Sequence, residues 1–470
     1  MNRHLFMLLG VFLVLGGCSL TPVYKQPDAP VPPTWPTGPA YSDNQPTDGT
    51  ADAPDLAWRD FFTDERLQEV IATALDNNRD LRLAALNVQR ARGIYGIQRA
   101  ALFPALDATA SGSKKRVPAD ISSSGERYTA EQYDVNLGVF AWEIDFFGRL
   151  GSLRDQALEA FLATDEARRS TQILIISAVG ETYLTLAADR EALKLARTTF
   201  EAQKATYDLV KRRYDVGLAT ELDLNFAQTQ VDIARRDMAI YTQRIAQDEN
   251  ALNFLVGRSF PVSGANLPED LTGIKPLKAI DPGISSEVLL ERPDIVRAEH
   301  LLKAANANIG AARAALFPRV SLTSTVGTAS AELSGLFEAG SGTWLFAPQI
   351  VMPIFDARLW SALDVTKAEQ EIALVQYEQT IQSAFREVAD TLAVQGTVDD
   401  QLAAQQSLVR ATAETYRLSE ARYLKGIDSY LGVLVAQRSL FAAQQGLVAL
   451  NLRKRANQVR LYAALGGGTH

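Results

Sequence analysis

One cysteine and three histidines in 470 residues leave little material for metal or disulfide chemistry. A single Cys18 cannot close an internal disulfide, and His4, His300 and His470 are too far apart in sequence to form the clustered spacing of a zinc site. His300 lies in a helical run and reads as a structural residue. Positive charge is also short. The 47 Lys and Arg are outnumbered by 55 Asp and Glu, a formal −8, which gives no footprint for nucleic acid. Beyond the first residues, no stretch reaches the roughly 18 consecutive apolar residues of a membrane helix. The acid pair Asp399-Asp400 falls in an expected helix break and has no organised pocket motif around it. No enzyme activity, no metal and no cofactor are expected.

The N-terminus reads as a processing segment. Arg3 precedes an apolar run over 5–15, too short to span a bilayer, which ends Leu15-Gly16-Gly17-Cys18. That ending resembles a bacterial lipobox, which implies cleavage before Cys18 and acylation of its thiol and amine. An ordinary signal peptide with an incidental cysteine is the alternative. Ser19, rather than Asp, resembles the sorting pattern of proteins released to the outer membrane. The mature chain is then periplasmic or crosses a membrane as β-strands. Residues 18–57, rich in Pro, Gly, Asp and Thr, read as an extended tether.

The remainder is organised around six residues that occur twice. Arg99-Ala100-Ala101-Leu102-Phe103-Pro104 recurs unchanged as Arg313 to Pro318, a shift of 214 positions. Each copy ends a helical pattern and opens a strand pattern, because Pro cannot continue a helix and extends the residue before it. Asn77-Asn78-Arg79-Asp80 and Glu291-Arg292-Pro293-Asp294 are matched punctuation, with Asp80 the expected N-cap. Strands are expected over about 105–113 and 133–145 in the first copy, with polar loops over 114–132 and 328–342, and over about 319–327 and 343–355 in the second. Tyr133, Val135, Leu137 and Val139 share one face, opposite Asp134, Asn136 and Gly138. That alternation, with aromatics near the strand ends, suits a transmembrane barrel, although a soluble hairpin alternates too. Pro348 within the last strand weakens it.

After the strands the shift becomes 209, because the first loop is longer. Residues 150–214 contain no Pro, and a helix of about 60 residues would run about 90 Å. It turns at Gly217 and returns over 221–255. The second copy does the same over 361–423, Gly426 and 430–465. Arg213 and Tyr214 map onto Arg422 and Tyr423. The expected organisation is a signal peptide (1–17), the tether, a first repeat (58–257), a linker (258–284), a second repeat (285–466) and a tail (467–470). Four strands cannot close a barrel, and an open edge in lipid costs several kcal/mol per unpaired group, so closure must come from further copies.

These features resemble the outer-membrane efflux protein family, the TolC-like channels, and within it the OprM-type lipoproteins of resistance-nodulation-division (RND) pumps. The motifs that carry the resemblance are the lipobox, Trp58-Arg59-Asp60-Phe61-Phe62, Asn77 to Leu81, both Arg-Ala-Ala-Leu-Phe-Pro segments, Glu291 to Asp294 and both Arg-Tyr-x-x-Gly turns. They span nearly the whole mature chain. The resemblance implies a mainly α chain with a β-barrel portion. Three copies would form a twelve-stranded transmembrane barrel continuous with a long periplasmic α-barrel. It implies a passive outer-membrane conduit for drugs, solvents or other toxic compounds, in contact with lipid, a periplasmic adaptor and an inner-membrane RND transporter. Adaptor contact is implied at the tips, Arg213, Tyr214, Gly217, Arg422, Tyr423 and Gly426. The periplasmic gate maps to Leu431 and Val435, where the family often has an apolar and an acidic ring; Val435 departs from the acidic one. A mouth closed mainly by packing is expected. Asp189 is a candidate partner for Arg438 there. Competing readings are a type I secretion channel on the same fold and a lipid-anchored periplasmic coiled coil.

Overall fold

The computed structural model describes residues 19–41, 56–258, 267–280 and 285–468. Cys18, His4, His470 and parts of the tether and linker lie outside them. The elements are α1 (Trp58–Phe61), α2 (Glu65–Asn77), α3 (Arg79–Ala100), β1 (Asp107–Val117), β2 (Tyr128–Ile144), α4 (Arg149–Asp215) and α5 (Glu221–Val256), followed by α6 (Pro293–Ala314), β3 (Arg319–Ser330), β4 (Gly342–Val351), α7 (Ala357–Leu424) and α8 (Tyr430–Ala464). Helix, two strands, long helix and shorter helix thus occur twice.

The caps differ from expectation at one point. The side-chain oxygen of Asn78 accepts from the N–H groups of Asp80 and Leu81, at 2.8 and 3.1 Å. Asn78 is therefore the N-cap of α3, and Asp80 lies inside the first turn, where a carboxylate still meets the positive end of the helix dipole. Asp294 occupies the same place in α6, behind Pro293 at the first helical position, where a missing N–H leaves nothing unpaired.

The four strands form one antiparallel sheet in sequence order, with β1 and β4 at its edges. They run further into the turns than expected. Segments 114–117, 128–132 and 328–330 are strand rather than loop, held by cross-strand pairs such as Lys114 with Glu131. β4 stops at Val351, ahead of Pro353. Pro348 is accommodated because β4 is an edge of the sheet.

The register sorts side chains across all four strands. Ala108, Ala110, Val135, Leu137, Val326, Trp344 and Phe346 fall on one face. Thr109, Ser111, Asp134, Asn136, Thr325 and Thr343 fall on the other, with Leu345 among them. A bulge between Val139 and Trp142 preserves the sorting. Ala141 takes a left-handed φ of 52°, and its N–H donates to the Thr323 hydroxyl at 3.0 Å. The extra residue turns Trp142 and Ile144 to the apolar face. Unbulged alternation would have put Glu143 there; instead its carboxylate is gripped by Arg149 at 2.8 and 2.7 Å.

Asp399 and Asp400 lie inside α7, which is unbroken over 68 residues. The expected break fails because a lone Gly396 costs a helix only about 1 kcal/mol. α4 and α8 each hold an 18-residue stretch apolar enough in composition to cross a membrane. In α4, 56% of that stretch is buried in the chain's own packing, with Gly180 against Phe62 and Val459.

Packing divides the chain into two compact units. One comprises Met1–Asp28, Asn87–Thr164 and Arg297–Tyr377, and contains the sheet. The other comprises Ala29–Leu86, Asp165–Val296 and Glu378–His470. Each draws on both copies, so the repeat is not the packing unit. In the second unit Phe61 stacks on Tyr462 at 4.0 Å, and the Tyr462 hydroxyl donates to the Leu56 carbonyl at 2.5 Å. In the first, His300 Nδ1 lies 2.6 Å from Glu159.

Candidate functional site

Both helical turns close by the same backbone device. Gly217 and Gly426 have φ of 77° and 74°. At the first turn the Leu218 N–H donates to the Arg213 carbonyl and the Gly217 N–H to Tyr214, at 2.7 and 2.9 Å. At the second, Ile427 donates to Arg422 and Gly426 to Tyr423, at 3.0 and 2.9 Å. This pair of hydrogen bonds around a left-handed glycine is the Schellman cap, and it explains the Arg-Tyr-x-x-Gly spacing. No atom lies within 4 Å of where a Cβ would stand at either glycine, so both turns are open.

The side chains join the two turns. The Arg213 guanidinium lies 5.0 Å from the Tyr423 ring centroid, and Tyr423 lies 5.2 Å from Tyr430. Val210, Ala227, Tyr430, Val433 and Leu434 form a small core beneath them. Burial pushes the Tyr430 phenol above its ordinary range. Arg422 instead grips Asp428 across its own turn with two bonds, at 2.5 and 3.1 Å. Sequence reasoning missed the apolar side chains that ring the turns. Val216, Leu218, Leu222, Leu424 and Ile427 are all more than half exposed. Their signal was apolar residues directly beside turn glycines. An uncovered cluster of this kind marks an interaction surface.

Leu431 and Val435, one turn apart on α8, are also more than half exposed and face away from Val433 and Leu434 in the small core. They line a groove of about 450 Å³ with Thr412, Thr415 and Ser419 of α7. Asp189 is not with them. It lies mid-way along α4, 3.9 Å from Arg244 of α5, and does not meet the exposed Arg438. The expectation erred because it placed Asp189 near the end of a helix that continues to Asp215.

The start of the described chain is held in a slot. The Asn306 amide donates to the Pro22 carbonyl at 2.8 Å, Arg313 to Leu20 at 3.3 Å, and the Thr21 and Ser152 hydroxyls bond at 3.0 Å. The strap crosses α6 at Gly310, where a Cβ would collide with Thr21. Its first residues therefore lie at the end of α6, a few residues ahead of β3.

The profile of the outer membrane efflux protein family matches residues 70–258 and 284–467. The chain belongs to that family. It is 49% identical over 469 residues to the toluene efflux pump outer membrane protein TtgC of Pseudomonas putida, covering 100% of this chain and 96% of the relative. The antibiotic efflux pump outer membrane protein ArpC of Pseudomonas putida is similar to the same extent, 49% over 469 residues with 100% and 96% coverage. Among solved structures, the open state of the Neisseria gonorrhoeae MtrE outer membrane channel superposes with a TM-score of 0.85 at 37% identity, covering 96% of this chain and 99% of that one. As an outer membrane efflux protein, the chain resides in the outer membrane and serves export, and its family is one of transport channels.

Proposed function

We propose that three copies close their four-stranded sheets into one twelve-stranded barrel, through which compounds leave the cell. The observation that carries this reading is the sheet itself. It has two free edges and an apolar face on which Trp344, Phe346 and Val326 are 78%, 61% and 61% exposed. The exposed apolar face suits lipid rather than water, and in lipid the two edges are tenable only if neighbouring copies complete the backbone pairing. α3, which buries no residue and exposes Leu83, Leu86, Ile94 and Ile97, supports further packing between copies.

The strap supports acylation at Cys18, because it holds the residue next to it close to the start of the sheet, where a bilayer surface would lie. The exposed apolar ring around Gly217 and Gly426 supports docking of a periplasmic adaptor, and through it an inner-membrane RND transporter. The relatives named for toluene and antibiotic export support hydrophobic toxic compounds as cargo. Leu431 and Val435 are assigned to the periplasmic mouth, which closes by apolar packing.

Gel mobility of outer-membrane fractions, with and without boiling, tests the barrel. A trimer-sized band that collapses on boiling is expected, followed by adaptor crosslinks from cysteines placed at 217 and 426. A monomer band in a soluble or inner-membrane fraction would overturn the reading.

A further inference from the structure

Where the sheet meets the helices, the first compact unit holds a cavity of about 520 Å³. The strand register sets its floor. Glu143, Ser321 and Gln349 stand in one row across β2, β3 and β4, and Arg319 lies two residues before Ser321. The Ala141 bulge has turned Glu143 away from the apolar face, so all four belong to the polar one. The side wall is aromatic. Phe147, just before α4, stacks on Phe317, just after α6, with centroids 4.9 Å apart and planes at 25°.

The charged groups of the wall are Glu143, Asp145, Arg149 and Arg319. The first three are engaged within the chain. Arg149 grips Glu143 with two bonds, at 2.8 and 2.7 Å. Asp145 accepts from the Gly151 N–H at 2.7 Å, in the first turn of α4, where the helix dipole favours a carboxylate. Arg319 differs. Its Nε lies 3.5 Å from the Glu143 oxygen that Arg149 already holds, and its side chain is 58% exposed. A guanidinium carries five N–H donors in a planar fork, so Arg319 keeps donors for an acceptor in the cavity. One carboxylate between two guanidinium groups also leaves a net positive charge there.

The second copy does not repeat these groups. At the shift of 214, Arg319 corresponds to Ala105; at 209, Glu143 corresponds to Met352 and Phe147 to Asp356. Arg358, the counterpart of Arg149, instead holds Asp356 at 2.9 and 2.7 Å. The combination of open guanidinium and stacked rings belongs to one junction of the chain.

We propose that this cavity binds amphiphilic anions, each a flat aromatic body carrying a carboxylate. The carboxylate takes the open donors of Arg319, and the rings lie against Phe147 and Phe317. A cation with the same body finds both acids of the wall already engaged. The volume falls within the range of about 300–1,000 Å³ usual for small-molecule sites. On the barrel reading the polar face lines the conduit, so departing compounds of this class meet the site on their way out. That placement rests on the barrel reading; the binding itself does not.

Equilibrium dialysis of naphthoate against the purified full chain in detergent tests the site, with uptake by detergent alone subtracted. Naphthoate is expected to bind about tenfold more tightly than naphthylmethylammonium, which carries the same rings and the opposite charge. Arg319→Gln changes a side chain that is more than half exposed; it weakens naphthoate about tenfold and leaves the ammonium probe unmoved. Arg319→Lys keeps the charge without the fork and recovers part of the loss. Phe147→Leu weakens both probes about threefold. Arg116→Gln, at the far end of β1, leaves naphthoate binding unchanged. Equal binding of the two probes, or naphthoate binding that survives Arg319→Gln, would overturn the site. A monomer band on the gel would remove the barrel, whereas equal binding would remove this site alone.

Discussion

Arg292→Ala removes a guanidinium that is 8% exposed and ties three helices together. Its Nη1 donates to the Ala464 carbonyl at the end of α8, at 2.5 Å. Nε and Nη2 grip Asp294 in α6 at 3.0 and 2.7 Å, and Nη2 reaches Glu387 of α7 at 3.1 Å. The Ala464 carbonyl is one of the terminal groups that a helix cannot satisfy internally, and stranding it costs about 1–3 kcal/mol. Asp294 and Glu387 are 37% and 46% exposed, so water takes over most of their solvation. Their two pairs together contribute about 1 kcal/mol after screening. Truncating the buried methylene stem removes about 1–2 kcal/mol more. The expected loss is about 3–6 kcal/mol, which for a chain of this length lowers the thermal midpoint by about 3–6 °C. Arg292→Lys keeps the stem and the charge but loses the fork, and it recovers about half of the loss. Far-UV circular dichroism of the purified protein, at fixed protein and detergent concentration, reads the shift. A midpoint unchanged in Arg292→Ala would refute the reasoning, because the buried carbonyl would then have found water.

Val435→Asp places a carboxylate where the groove beside Leu431 is lined by apolar and hydroxyl groups, and single-channel recordings are expected to show increased cation selectivity. Unchanged selectivity would remove Val435 from the mouth. Gly310→Ala drives a methyl group into Thr21 and releases the strap at a cost of about 1–3 kcal/mol, read as faster proteolysis around residues 19–24 with helix content intact; equal cleavage rates would show that the slot does not hold it. Asp64 caps α2. Burial pushes its carboxyl upward, but hydrogen bonds from Arg66, Lys275 and Leu67 outweigh that and leave it below the usual range. Its contribution is therefore present above the ordinary carboxylate range and is lost as pH falls through the lowered value. Asp64→Asn should keep the cap yet flatten the acid limb of a stability-versus-pH curve; an unchanged limb would assign that limb to other acids.

Much of this fold could be read in the chain because its signals are periodic and occur twice. The Pro104 and Pro318 boundaries, the alternation from Tyr133 to Val139 and the Gly217 and Gly426 turns each rest on local backbone chemistry that tolerates little else. What could not be read depends on choices between near-equals. Asn78 and Asp80 are both good caps, and only the helix start at Arg79 decides between them. Lys114-Lys115-Arg116 has the composition of a loop until its partners at 129–131 are known. The Ala141 bulge leaves no mark in composition, yet it reverses the facing of every residue from Trp142 onward. Asp189 lies too far along α4 from the turn for helix phase to name its neighbour, so its partner, Arg244, emerged only from the packing.

The two turns also differ in how the returning helix begins. At the first, Thr220 and Asp223 exchange hydrogen bonds in a capping box. At the second, Ser429 makes no side-chain cap bond, and Gly432 stands where Asp223 would be. A lost cap of this kind is worth about 1 kcal/mol, so the opening turn of α8 frays about fivefold more readily than that of α5. Besides the glycine cap and the buried Tyr430, the second turn carries the exposed Arg422–Asp428 pair, which dissolved ions weaken. The chain therefore carries one joint begun by a capping box and one whose only charged clasp responds to salt. Leu431 stands in the first turn of the helix that leaves the second joint, with Val435 one turn further on.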